Sequence, residues 1–324
     1  MKLLKLIPDN TNIQFLRWRV PFYAVSLLLM AASVGLVLTK GLNFGVDFEG
    51  GQMIRVTFTQ SVEAPVGELR ESIDGLGYGE PTIQRFGKPN EISIRMKLPE
   101  GSESNPELAD AMTKKITAQI RQDHADARFD GVDSVSGKVS GELWKTGALA
   151  LGLAMIAISI YIWIRFEWQF GVGALFALLH DVTLTVGLFA LTQMEFDLNI
   201  VAALLTLIGY SLNDNIVVYD RVRENLKKYR RMPLPELLDL SVNETLSRTI
   251  VTSTSLLITL LALLVLGPDV IFGFTAAITL GIFVGTYSSI YMATPILIWL
   301  KVNPNSFVPQ ETEIERQDRL ARER

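Results

Sequence analysis

The stretch LIGYSLNDNIVVYDR, from Leu207 to Arg221, puts three polar residues into a run that is otherwise apolar enough to cross a membrane. They are Asn213, Asp214 and Asn215. A carboxylate in the hydrocarbon core costs about 3 kcal/mol on insertion scales, so an acidic residue at this place is a functional-site hypothesis from the start. The hypothesis first requires that the run is a membrane span.

Six long apolar runs of this kind occur in the 324 residues, of which 49% are apolar. A membrane-spanning helix needs about 20 apolar residues, and the runs match that length. The last run is longer and would have to tilt or end near Pro295. We predict a polytopic α-helical membrane protein with six transmembrane helices. The predicted spans are 20–39, 144–164, 170–191, 198–219, 249–266 and 272–300.

Lysine and arginine alternate between the connecting segments, which predicts the orientation. They are frequent before the first span, after the fourth span and in the tail, and they are absent from 192–197 and 267–270. Both termini are therefore predicted in the cytoplasm, with segment 40–141 outside, as in a protein of inner-membrane type. The cytoplasmic parts are the N-terminus 1–19, the basic loop and start of the fifth span 220–248, and the tail 301–324.

Segment 40–141 is predicted to fold as one extracytoplasmic domain. Residues 41–141 carry 16 acidic and 11 basic side chains, an excess of negative charge that argues against a nucleic-acid partner. Their patterns follow the order βαββαβ, which is typical of a ferredoxin-like domain. The second helix is predicted over 105–122, with Asn105 as its cap and Pro106 at its first position. No catalytic, metal-binding or cofactor-binding constellation is evident in the domain.

The stretch GLNFGVDFEGG (41–51) joins the first span to this domain. Gly45, Gly50 and Gly51 allow backbone shapes that other residues resist, which predicts a tight turn. A strand rather than a helix follows them, so they do not form a phosphate-binding loop. Asp47, Phe48 and Glu49 lie between the glycines, and the two acidic residues are given no chemistry.

Other ionisable residues also lie inside predicted spans. His180 and Asp181 stand about 16 Å into the third span, and Asp214 about 9 Å from the inner surface, at a rise of about 1.5 Å per residue. Ser241 to Glu244 fits a capping box, which would start the fifth helix near Val242 and put Arg248 nearly two turns inside it.

Hydroxyl side chains follow one face of the fifth span and one face of the sixth. Together with Asp214, Arg248 and the His180–Asp181 pair, they indicate a path for a proton or another cation. The hydroxyl side chains are Thr252, Ser255 and Thr259, then Thr275, Thr279 and Thr286. Each stripe alone is also consistent with ordinary helix packing, Arg248 with snorkelling to the interface, and His180–Asp181 with a satisfied buried pair.

Three stretches support a resemblance to a known family. They are GVDFEGG after the first span, HD in the third span, and IGYSLNDNIVVYDRVREN (208–225) across the fourth. Together with the six-span layout, they resemble the SecF branch of the SecD/SecF family of protein-export membrane proteins, in the RND superfamily. The GYSxND motif of that family includes Gly209, Ser211 and Asn213 here. Asn215 departs from it, because relatives usually have Ser or Thr there.

The resemblance implies half of an RND-type transporter that works with SecD and uses the proton motive force to promote export of polypeptides. It places the proton-site carboxylate at Asp214 and its arginine partner at Arg248. The implied partners are SecD, SecYEG, YajC, YidC and the exported polypeptide. The resemblance implies no enzymatic activity and no cofactor.

Three other functions remain as alternatives. Asp181 and Asp214 could form the paired carboxylates of an intramembrane aspartyl protease, which would share a proton over about 3 Å. The chain could be half of an RND-type exporter of small molecules or lipids. It could also be a passive scaffold for SecD, in which case the carboxylate of Asp214 would be dispensable.

Overall fold

Six long helices dominate the structure, a computed structural model that describes residues 8, 11–85, 88–99, 101–102 and 106–302. All six are long and apolar enough to cross a membrane, as predicted. They are α1 (Arg19–Thr39, entered through a 3₁₀ turn at Phe15–Trp18), α5 (Gly137–Arg165), α6 (Trp168–Thr192), α7 (Leu198–Lys228), α8 (Leu234–Leu266) and the last span, α9 (Phe272–Ser288) with α10 (Thr294–Trp299). Residues 303–324 of the predicted tail 301–324, the predicted cap at Asn105 and the first seven residues lie outside the described part.

The helices form an inner and an outer group. In α6, α7 and the last span, 50–61% of the most apolar 18-residue segment is buried. In α1, α5 and α8 the corresponding share is 11–17%. The inner helices approach closely: a Cβ at Gly281 of α9 would come within 2.4 Å of the Leu207 side chain on α7. Consequently α7, which carries Asp214, lies in the middle of the bundle.

A four-stranded antiparallel sheet with two helices forms the separate domain between α1 and α5. The strand order is β3-β4-β2-β5, with β2 central, so the ferredoxin-like arrangement is as predicted. Alternate residues of the central strand, such as Ile54 and Phe58, bury against Met112 and Ile116 of the second helix. The elements are β2 (Gly51–Phe58), α3 (Val66–Asp74), β3 (Thr82–Arg85), β4 (Glu91–Met96), α4 (Pro106–Asp123) and β5 (Ala127–Val135).

Segment 220–248 was predicted as a basic loop and the start of the fifth span, and the predicted loop is too long, because α7 continues to Lys228 and α8 covers the segment from Leu234. The fifth helix begins at Leu234 after Pro233, not near Val242, and Ser241 donates to the Leu237 carbonyl instead of capping. Its early turns present a buried face of Leu237, Leu238, Val242 and Leu246, and this packing favours helix over loop.

The last span does not stop at Pro295. A π-helical turn over Ser289–Ala293 joins α9 to α10, and such turns widen a helix locally. The carbonyls of Met292 and Ala293 accept hydrogen bonds from the hydroxyls of Tyr23 and Tyr219. These bonds satisfy backbone groups that water cannot reach in a membrane.

The stretch before β2 forms elements that the sequence analysis did not predict. Strand β1 (Asn43–Phe44) pairs in parallel with β6 (Glu195–Phe196), which lies between α6 and α7. A short helix, α2 (Val46–Glu49), follows β1. The chain between the first span and the sheet domain is therefore attached to the start of α7.

Candidate functional site

Asp214 lies in the middle of α7 and faces the inside of the bundle. It is 2% exposed, and among the described residues its Oδ2 atom has no hydrogen-bond partner. The neighbouring Asn215 is fully buried, and both polar atoms of its amide also lack partners. Asn213 points the other way and is exposed on the surface of the helix. A buried polar group without a partner is costly, and a charged one more so.

The positive charge that acts on Asp214 is Arg248 of α8. Among the described residues, no ion pair joins the two side chains, so the attraction acts across a gap. Arg248 itself is exposed on the surface of the bundle. The structure thus brings together the two charges that the sequence singled out, and the two side chains do not form a direct ion pair.

A chain of hydroxyl groups connects α7 to α8 and α9 near Asp214. Tyr210, one turn before Asp214, lies 3.0 Å from the Ser253 Oγ, which lies 2.8 Å from the Thr286 Oγ1. Of the hydroxyls predicted as a relay, only Thr286 belongs to this chain. Thr252, Ser255 and Thr259 are exposed, and they donate to carbonyls of their own helix, as do Thr275 and Thr279.

His180 and Asp181 form a second buried centre, between α6, α7 and α9. The His180 Nδ1 lies 2.9 Å from the Asp181 Oδ1, and both residues are fully buried. The Asp181 Oδ2 accepts hydrogen bonds from Ser211 (2.6 Å) and Ser288 (2.9 Å). In the part of the chain that the structure describes, the His180 Nε2 has no hydrogen-bond partner. Three neighbouring helices are therefore tied to one carboxyl group.

The two centres are connected through α7, because Ser211 lies about one helical turn before Asp214. The oxygens of Asp181 already contact His180 and the two serines. Within the described ranges, no hydrogen bond joins Asp181 to Asp214. The paired-carboxyl arrangement of an aspartyl protease is therefore not present.

The glycine motif lies at the start of α7, where the sheet domain meets the bundle. The Gly45 N–H donates to the Phe196 carbonyl (2.9 Å), and a Cβ at Gly45 would come within 2.8 Å of the Glu195 Oε1. Gly50 has a positive φ and packs against Gly137, where a Cβ would come within 3.3 Å of its Cα. Phe48 packs against Trp144 with ring centroids 5.4 Å apart. Close backbone contact explains these glycines.

We call the region where residues 43–51 meet residues 195–198 the joint. The sequence did not predict the role of several polar residues there. Arg95 of β4 donates to the Phe44 carbonyl and to the Asn43 side chain. The Asp197 side chain accepts from the backbone N–H of Ile200 at the start of α7 (3.1 Å). The signal available beforehand was an acidic residue just before an apolar run, which is typical of a helix N-cap.

The acidic groups of the joint predict a dependence of stability on pH. Burial raises the pKa of the Glu195 carboxyl, and the attraction of Arg95 only partly opposes it. The folded chain therefore binds this proton more tightly than the unfolded chain, and stability falls as the pH rises above the ordinary value of 4.5.

We expect the purified Glu195→Gln variant to melt at a higher temperature than the parent at pH 8. The difference should disappear near pH 4.5, since glutamine resembles the protonated acid. The matched change at the exposed Glu71 controls for the loss of one carboxyl. An equal difference at both pH values would contradict the explanation.

Comparison with known proteins decides the family. The profile described as Protein export membrane protein SecD/SecF, C-terminal, matches residues 114–303, more than half of the chain. The chain belongs to the SecD/SecF family. A second profile, the SecD/SecF GG Motif, matches residues 35–62, which contain the glycines of the joint. The resemblance found from the sequence motifs is confirmed.

Similar SecD/SecF proteins cover nearly the whole chain. The protein translocase subunit SecF of Cereibacter sphaeroides is 46% identical over 304 residues, covering 93% of both chains. The subunit of the same name from Pseudomonas aeruginosa is 39% identical and covers 95% of this chain and 98% of its own.

Two SecDF crystal structures share the architecture. The structure of SecDF, a translocon-associated membrane protein from Thermus thermophilus, matches with a TM-score of 0.82 at 34% identity. It covers 91% of this chain, which spans 40% of the length of that one. SecDF in a super-membrane-facing form matches with a TM-score of 0.62, also at 34% identity.

Proposed function

We propose that this chain is the proton-coupled subunit of the Sec protein-export machinery, and that it works with SecD to promote movement of preproteins across the membrane. The observation that carries the proposal is the buried Asp214 carboxyl, with an unpaired oxygen, in a helix at the centre of a membrane bundle. An ionisable group in such a place is expensive to maintain unless it has a function.

The charge of Arg248 supplies the coupling step. When Asp214 is ionised, Arg248 attracts it across the gap between α7 and α8. When Asp214 binds a proton, this attraction is lost. The free-energy difference between alternative relative positions of the two helices therefore changes. A ligand shifts a two-state equilibrium by its difference in affinity for the two states, and here the ligand is the proton.

The second centre has a proposed supporting role. Asp181 ties α6 and α9 to α7 through Ser211 and Ser288, so a displacement of α7 changes its hydrogen bonds. The unpaired His180 Nε2 offers a further place for a proton. The chain Tyr210–Ser253–Thr286 leads from the neighbourhood of Asp214 to α9 and provides hydroxyls for proton transfer.

The surface of α7 and α8 supports SecD as the partner. Gly209 and Asn213 are exposed on α7, and a Cβ at Gly209 would meet nothing within 4 Å. Arg248 and Thr252 are exposed on α8. Polar and small residues on membrane helices usually face another helix rather than lipid. The Thermus SecDF chain, of which this one spans 40%, is long enough to include such a second half.

The remaining features of the proposal follow from the family and the charge pattern. The chain is a non-enzymatic, cofactor-free subunit of the bacterial inner membrane, with both termini in the cytoplasm and the sheet domain outside. SecYEG, YajC, YidC and the exported polypeptide complete the assembly.

The exporter alternative would need a substrate cavity inside the sheet domain. In the described part of the domain, residues such as Phe58, Leu69 and Met112 fill the space between sheet and helices. A cavity of about 230 Å³ lies instead at the joint, where polar side chains such as Arg55 and Gln84 line it. These observations do not favour a small-molecule exporter.

Substitution of Arg248 tests the coupling step. We expect Arg248→Gln to reduce the export that depends on the proton motive force by about tenfold, because a counter-charge contribution of about 1.4 kcal/mol corresponds to that factor. Arg248→Lys should retain much of the activity, since the positive charge remains. The measurement is export of a reporter protein with and without an ionophore that collapses the gradient.

Arg231→Gln, in the exposed turn between α7 and α8, is the matched control. Normal gradient-dependent export in cells with Arg248→Gln would show that Arg248 has no role in the coupling step.

A further inference from the structure

The first turn of α7 is held by two carboxylates from different parts of the chain. Asp197 caps the helix from the preceding residue. The Asp47 Oδ2 accepts a hydrogen bond of 2.9 Å from the backbone N–H of Leu198, although the two residues are 151 positions apart. The first four N–H groups of a helix have no partner within it, and a negative charge at that end is favourable. Asp47 therefore contributes an anchor for α7.

The glycine motif brings Asp47 to this position. Pairing of β1 with β6 aligns the motif with the start of α7, and Gly45 lets the backbone approach Glu195 and Asp197. Separated from the end of α2 by one residue, Gly51 begins β2, the central strand of the sheet domain. Only three residues, 48–50, lie between Asp47, which anchors α7, and the first residue of β2.

Helix α7 continues without a break from Leu198 to Lys228. Asp214 lies 16 residues after Leu198, about 24 Å along the axis at the helical rise of about 1.5 Å. An unbroken helix transmits a displacement of its first turn to the residues further along. The hydrogen bond of Asp47 thus joins the sheet domain to the helix that carries the ionisable group.

We propose that Asp47 is a positioning residue that couples the orientation of the sheet domain to the state of Asp214 through the first turn of α7. The proposal rests on the proposed function of Asp214. It gives the motif around Gly45, Gly50 and Gly51 a mechanical role in addition to its turn geometry.

The experiment uses the full chain together with SecD in cells whose only copy carries the variant. Asp47→Ala removes the acceptor, whereas Asp47→Asn and Asp47→Ser retain an oxygen that can cap. We expect Asp47→Ala to lower gradient-dependent export three- to tenfold, and Asn and Ser to restore most of it. Glu71→Ala, which removes an exposed carboxylate from α3 of the same sheet domain, is the matched control.

A second variant removes the donor instead of the acceptor. Leu198 is the first residue of α7, a position where proline is tolerated because it lacks only an N–H that the helix does not use. Asp197 has the extended backbone that a following proline requires. Leu198→Pro should produce the same loss as Asp47→Ala, and the double variant should be no worse than either single one.

Proton binding by Asp214 can be measured separately from export. It would stay unchanged if Asp47 had a purely structural role. A hydrophobic carbodiimide reacts with protonated carboxyl groups, so the pH at which labelling of Asp214 is half-maximal reports its proton binding. We expect this midpoint to shift in both Asp47→Ala and Leu198→Pro, and to stay at the parent value in Asp47→Asn.

Parent-like export and labelling in Leu198→Pro and Asp47→Ala would overturn the inference. If Asp47→Ala does not accumulate in the membrane, the inference is tested with Leu198→Pro alone. Parent-like export and labelling in that variant would overturn it. Asp214→Asn in the parent background separates the two proposals. If this variant has no effect on export, the proposed function fails. If it abolishes export while Leu198→Pro does not, only the inference about Asp47 fails.

Discussion

Replacing Asp214 by asparagine should abolish the part of protein export that depends on the proton motive force. Asparagine has nearly the same shape but binds no proton, so Arg248 acts on the same unchanging neighbour throughout the cycle. A proton crossing a potential of about 150 mV releases about 3.5 kcal/mol. That free energy can bias a two-state element by up to about a few hundredfold, which sets the largest loss to be expected.

The measurement is export of a reporter protein in cells whose only copy carries Asp214→Asn, with membrane levels of the chain and of SecD determined in parallel. Asp220→Asn provides the matched control, because it is the same change on the same helix at an exposed position. If export is unaffected, the carboxyl serves packing alone and the passive-scaffold alternative is favoured. If export collapses while the complex assembles normally, the scaffold alternative is excluded.

Replacing Gly51 by alanine should destabilise the sheet domain by about 3 kcal/mol or more, since two penalties add. Gly51 has a φ of 116°, in the region that favours glycine. A Cβ there would also come within 2.6 Å of the Met96 carbonyl oxygen, which belongs to the backbone of the neighbouring strand. The strand would have to move, and it is bonded to the centre of the sheet.

The control for this prediction separates strain from collision. Gly79 has a similar φ of 93°, but a Cβ there would meet nothing within 4 Å. Gly79→Ala should therefore cost only about 1 kcal/mol. Limited proteolysis of the full chain at increasing urea concentration compares the two. Equal loss of stability in both variants would mean that the contact with Met96 contributes nothing.

The spans, the order of elements in the domain and the presence of ionisable residues within the spans could all be predicted because their signals are local. The length of an apolar run, the alternation of a strand and a charge within a span are each read within about twenty residues. The start of α8 was predicted wrongly for a related reason. A capping pattern at Ser241 was weighed alone, whereas packing of Leu237 and Leu238 extends the helix to Leu234.

The members of the hydroxyl chain could not be predicted in this way. Thr252 and Ser253 are neighbours of similar chemistry, yet Thr252 is exposed and Ser253 contacts Tyr210 and Thr286. Which of them faces the bundle depends on the rotation of α8 against α7 and α9. That rotation is set by the packing of all three helices together.

By itself, the sequence determined that this is a six-span membrane protein of the SecD/SecF family with one ferredoxin-like domain and a carboxyl group inside a span. Only the tertiary structure decided what surrounds that carboxyl: a counter-charge without a direct ion pair, a second centre tied to it through Ser211, and an anchor at Asp47 for the helix that carries it. The physical reason is distance along the chain. Hydrophobic patterning acts between near neighbours, whereas the bond from Leu198 to Asp47 joins residues 151 positions apart and exists only after the helices and the sheet have packed.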